Sequence, residues 1–151
     1  MKKFRFTLRS VQTVRSIREL RAREQFSLSI AELARVTAEA EQADQRMARL
    51  QQVLLGERGP LFRGADQVAY LQAIEVAKRE LIQAQNAVTK ATLRRDECRE
   101  AWIATRMDVR IIENLEKKAR QQHLHEFERE EQSALDDRSN ALVGRAPLMM
   151  P

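Results

Sequence analysis

The residues least compatible with a helix interior are confined to two places in this chain. Its glycines are Gly56, Gly59, Gly64 and Gly144, and its prolines are Pro60, Pro147 and Pro151. Residues 1–55 and 65–143 therefore contain neither type. In a helix interior Gly costs about 1 kcal/mol and Pro about 3 kcal/mol relative to Ala. Two long stretches free of both, separated by one central cluster, predict two long helices joined at that cluster. The stretches are rich in Ala, Glu, Arg, Gln and Leu, the composition of long helices and coiled coils. Aromatic residues make up 5% of the chain, which favours a thin apolar seam over a bulky core.

Periodicity supports the same fold. Phe26, Leu33, Ala40, Met47 and Leu54 recur every seven residues, with Ser29, Val36, Ala43 and Leu50 three places later. This is an a/d seam. In the second stretch one column holds Ile74, Leu81, Val88, Arg95, Trp102 and Val109. The other holds Tyr70, Ala77, Ala84, Ala91, Cys98, Thr105 and Ile112. Toward the N-terminus the apolar spacing changes: Phe4, Leu8 and Val11 are followed by Val14, Ile17 and Leu20. A rotation of the stripe, as at a stutter, is expected there.

The expected fold is all-α: a long antiparallel two-helix coiled-coil hairpin, with the second helix longer than the first. A single coiled-coil domain is expected over residues 1–151, with helices over about 4–55 and 66–136, a turn over 56–65 and a frayed tail over 140–151. Gly56 suits a left-handed helix C-terminus, and Asp66 suits an N-cap. In the hairpin register, paired residue numbers add to about 124. Large residues then face small ones, as at Met47/Ala77, Ala43/Leu81 and Leu33/Ala91. The same register pairs Phe26 with Cys98 and Ala22 with Trp102, and sets Phe4 near Ala119 or Arg120. At 1.5 Å per residue the helices would run roughly 75–80 Å and roughly 105 Å, leaving the second to overhang.

Charge is uneven. Residues 1–25 hold eight Lys/Arg and two Glu, whereas residues 121–140 hold six Asp/Glu and two Arg. Glu19–Arg23, Glu75–Arg79, Glu113–Lys117 and Glu116–Arg120 have the acid four places before the base, each worth about 0.2–0.5 kcal/mol. The net charge of +5 permits acidic or nucleic-acid partners without requiring either. Nucleic acid is not expected, because no stacking aromatics lie among the arginines. No apolar run is long enough to span a bilayer, and the basic N-terminus has no apolar stretch of the secretory kind after it. One cysteine, Cys98, excludes an internal disulfide and suits a reducing compartment.

No catalytic, cofactor or metal site is expected. His123 and His125 point about 200° apart on a helix and cannot share an ion. Cys98 reads as a small apolar filler of the seam. The carboxylates Glu128, Glu130 and Glu131 have no cleft to tune them for acid–base work. Trp102 reads as seam packing or a partner anchor. Arg15, Arg18 and Arg21 read as a solvated strip or as a contact for an acidic protein surface. Phe4 and Leu8 would share a helical face; Phe6 would either pack on the second helix or face a partner.

The opening Lys3-Phe4-Arg5-Phe6-Thr7-Leu8-Arg9-Ser10-Val11, followed by Arg15, resembles the FliJ family of flagellar export proteins. So do Leu115-Glu116-Lys117-Lys118-Ala119-Arg120 and Glu126-Phe127-Glu128-Arg129-Glu130-Glu131-Gln132 in the charged second helix. The resemblance implies a non-enzymatic central stalk and adaptor of the flagellar type III protein export apparatus, needing no cofactor. Its implied partners are the hexameric export ATPase, the cytoplasmic domain of the export gate and export chaperones. Its implied place is cytoplasmic, peripheral at the inner membrane. ATPase contacts would fall to Phe4, Phe6, Leu8, Arg15, Arg18, Arg21, Glu126, Phe127 and Arg129. Gate contacts would fall to Leu50, Leu61, Phe62 and Tyr70. The stalk of a non-flagellar type III system, or a generic coiled-coil adaptor, is the alternative.

Overall fold

The computed structural model describes residues 3–56 and 63–144. Helix α1 runs Arg9–Gly56 over 48 residues, and α2 runs Gly64–Val143 over 80 residues. They form the expected hairpin, with the second helix the longer. The chain divides into two compact units: one takes in the chain up to Ile17 and from Met107 onward, the other Arg18–Arg106.

Within Arg18–Arg106, contacts between the helices run in opposite chain directions. Arg46 pairs with Glu80 at 3.0 Å, Phe26 stacks on Trp102 at 5.6 Å between centroids, and the Trp102 indole donates to Glu19 at 2.8 Å. The a/d columns point inward here. Ser29, Val36, Ala43, Ala77 and Ala91 are buried, and Met47, Leu50, Tyr70, Ile74, Leu81, Val88, Cys98 and Trp102 are half-buried. Small residues are well buried because a seam between two helices can enclose a short side chain fully, whereas longer ones reach past it to solvent. Buried Ser29 donates its hydroxyl to the Phe26 carbonyl at 2.6 Å. Thr37, Thr92 and Thr105 likewise donate to the carbonyls of Leu33, Val88 and Trp102. Among the described residues no buried side-chain polar atom lacks a partner.

In the other unit, Gln12 donates to Glu116 at 2.9 Å and Arg15 donates to the Asp108 carbonyl at 2.9 Å. Ile112 is its buried anchor, 2% exposed. From Glu128 to Val143 every residue of α2 is exposed.

Several expectations need correction. Phe4 to Leu8 are not helical: residues 3–6 are irregular and residues 7–8 form a turn ahead of α1. The arm still lands where the register set it, with the Arg120 guanidinium 5.4 Å from the Phe4 ring centre. The seam does not rotate near the N-terminus. Gln12 and Arg15 hold the inward positions of one unit, and Glu19 and Ala22 those of the other. Val11, Val14, Ile17 and Leu20 are instead exposed. Keeping the heptad frame with polar residues costs less than unwinding α1 from its partner, because Gln12, Arg15 and Glu19 all find hydrogen bonds there.

Phe26 stacks on Trp102, one turn beyond the expected Cys98. Two stacked aromatic faces bury more surface than either ring against a small side chain. Gly56 is the last residue of α1 and has no positive φ. Asp66 lies inside the first turn of α2, where its charge complements the helix dipole, and is not the N-cap. Helix α2 continues to Val143, past the expected end near residue 136, and closes with Gly144 N–H on the Asn140 carbonyl. Of the four anticipated ion pairs only Glu116–Arg120 closes, at 3.1 Å. Glu19 serves Trp102 instead, while Arg35 bridges Glu32 and Glu39. The turn over 57–62, with Leu61 and Phe62, and the tail after Gly144 lie outside the described residues.

Candidate interaction surfaces

The unit holding Phe4 is built around an aromatic and charged cluster. The Phe4 ring lies 5.6 Å from the His123 ring at 43°. Arg120 covers the same ring while it pairs with Glu116. The amide of Gln12, then Arg120, hold the Glu116 carboxyl below its ordinary range. His123 is therefore half-buried against the arm rather than a free surface residue, whereas His125 stays exposed, 3.9 Å from Glu128. Among the described residues no group of His, Cys, Asp and Glu could hold a metal ion.

The candidate contacts in this unit divide by exposure. Phe4, Phe6, Arg15 and Phe127 are half-buried; Leu8, Glu126 and Arg129 are exposed. Arg15 is committed to the Asp108 carbonyl, so it is not part of an outward basic strip. Sequence periodicity missed the main outward feature. Val11 and Val14 flank the seam on α1, and Ile111 and Leu115 flank it on α2; they are 38%, 49%, 53% and 42% exposed. In an antiparallel pair these flanking positions fall on the same side of the two helices. The result is an apolar patch over a polar stretch of seam. Its signal in the sequence is that continuing the α1 heptad backward puts Gln12 and Arg15, not Val11 and Val14, in the a/d positions.

In Arg18–Arg106, Arg18 and Arg21 are exposed and carry no ion pair or hydrogen bond among the described residues. Leu50 and Tyr70 are half-buried in the seam. The outward apolar residues beside them are Leu55, Val68, Leu71 and Val76, exposed by 72%, 54%, 47% and 54%. Val68, Leu71 and Val76 line a shallow groove with Glu75 and Arg79. A second groove is lined by Leu28, Val36, Ala87 and Ala91 together with the charged Glu32, Arg35, Lys90 and Arg94. Cys98 is a half-buried free thiol.

The described residues thus define a protein of the all-α, two-helix hairpin class, with apolar and charged residues on its outward faces. The flagellar FliJ protein family matches residues 5–148, and the chain belongs to that family. This is a flagellar export-related family of non-catalytic structural and adaptor proteins. Among curated proteins and among solved structures nothing matches the chain. No described helix is long and apolar enough to cross a membrane.

Proposed function

We propose that this chain is a non-enzymatic central stalk and adaptor of the flagellar type III export apparatus. It promotes assembly and activity of the hexameric export ATPase ring and couples the ring to the cytoplasmic domain of the export gate and to export chaperones. It works in the cytoplasm, peripheral to the inner membrane. The observation that carries this reading is the family match over residues 5–148 of a two-helix hairpin. A narrow antiparallel helix pair suits the axis of a protein ring, where a globule would not fit.

The exposure pattern supports a division of labour among the contact residues. Leu8, Glu126 and Arg129, with Val11, Val14, Ile111 and Leu115, offer exposed surface to the ATPase. Phe4, Phe6, Arg15 and Phe127 shape that surface from below. Arg18 and Arg21, in the other unit, are candidate ATPase contacts in their own right, exposed and without an ion pair among the described residues. For the gate, Leu50 and Tyr70 support the outward Leu71 and Val76; Leu61 and Phe62 remain candidates from sequence.

The direct test mixes the chain with its cognate export ATPase and follows ring formation by light scattering alongside ATP hydrolysis. Both should rise saturably with added chain. Unchanged hydrolysis and unchanged ring mass at saturating chain would overturn the proposal.

A further inference from the structure

Among the described residues no helix packs on Glu128–Val143 of α2, yet this stretch carries an ordered pattern. Leu124, Glu128, Glu131, Leu135, Arg138 and Leu142 follow one another at alternating spacings of four and three. They therefore line one face of the helix as a heptad seam does. The three leucines are 57%, 56% and 72% exposed. This face differs from the seam used inside the hairpin, which reaches His123.

The order of residues on this face has a twofold character. When two copies are laid antiparallel, Leu124 meets Leu142 of the other copy, Glu128 meets Arg138, and Glu131 meets Leu135. Arg138 then lies between the other copy's Glu128 and Glu131. A parallel pairing would instead stack Glu128, Glu131 and Arg138 each on its own like charge, which is destabilising. At the flanks the antiparallel pairing sets Gln132 beside Gln132 and Ala134 beside Ala134. Neither brings like charges together. Among the described residues, the side-chain hydrogen bonds and ion pairs of residues 128–143 stay on α2: Gln132 with Asp136 and Glu128 with His125. Charge complementarity thus selects both the occupant, a second copy of this chain, and its direction.

We propose that this face of α2 is a self-association surface that joins two chains into an antiparallel pair. The inference goes beyond the stalk function and does not depend on it. The contact is about 28 Å long and buries less than about 1,200 Å² in total, the class of weak and transient complexes. Pairing also covers the helix that carries Glu126 and Arg129, so a paired chain would withhold that stretch from any other partner.

Sedimentation equilibrium of the full chain between about 5 and 300 μM tests this over the range a contact of this size can populate. The expected result is a reversible monomer–dimer equilibrium. Leu135→Asp should abolish it with unchanged helicity by circular dichroism, since Leu135 is exposed in the monomer. Glu128→Arg and Arg138→Glu should each weaken association by about tenfold, because each sets like charges face to face. The double variant E128R/R138E should restore it. A monomer at every concentration would overturn the proposal. So would a dimer indifferent to Leu135→Asp, or a double variant no better than the single ones.

Discussion

Arg18–Arg106 and the unit that joins residues up to Ile17 with those from Met107 use the same heptad frame to different ends. In Arg18–Arg106 the inward columns are mostly small and apolar, with Ser29, Val36, Ala43, Ala77 and Ala91 buried. In the other unit Gln12, Arg15 and Glu116 occupy inward positions, and Val11, Val14, Ile111 and Leu115 are exposed. The first arrangement spends its apolar surface on holding the helices together. The second holds them with hydrogen bonds and one deep isoleucine, and keeps apolar surface outside. Packing and recognition compete for the same residue type, and the two units resolve that competition oppositely.

Substitutions can break this comparison. The largest effect should come from Val36→Asp, which puts an unpaired charge into the seam of Arg18–Arg106. A loss of at least about 3 kcal/mol is expected in urea unfolding followed by circular dichroism. Ile112→Ala should cost about 2–4 kcal/mol in the same assay, showing how far one residue anchors the polar unit. Trp102→Phe keeps a ring against Phe26 but removes the hydrogen bond to Glu19, at about 1 kcal/mol.

The smallest stability effect should come from Val14→Ser with Leu115→Ser. Each exposed change should stay within about 0.5 kcal/mol, while stimulation of the export ATPase falls severalfold. Equal stimulation by this variant would mean that the exposed patch is not a contact.

Acid gives a finer probe of the polar unit. The Glu116 carboxyl titrates below its ordinary value of 4.5 because Gln12 and Arg120 bond its charged form. Its contribution to stability is therefore full above pH 4.5 and is lost as pH falls through the lowered value. Glu116→Gln should flatten that part of the acid unfolding curve measured by circular dichroism.

The distribution of Gly and Pro determined the two helices, and the heptads of α1 from Phe26 onward determined their antiparallel register. Both are local properties: a breaker costs the same wherever the chain goes, and a heptad defines a face before any partner arrives. The landing of Phe4 at Arg120 follows the same register, because the helical register holds to Arg9 and the short non-helical arm ahead of it stays close to that line. The tertiary structure decided what the N-terminal apolar residues do. Read alone, Val11, Val14, Ile17 and Leu20 look like a seam that turns. Against a continuous partner helix they are outward residues, because Gln12, Arg15 and Glu19 can satisfy their polar groups inward at Glu116, Asp108 and Trp102. Continuing the α1 heptad backward offers this arrangement as one of two, and only the second helix, which supplies the bonding partners, decides for it.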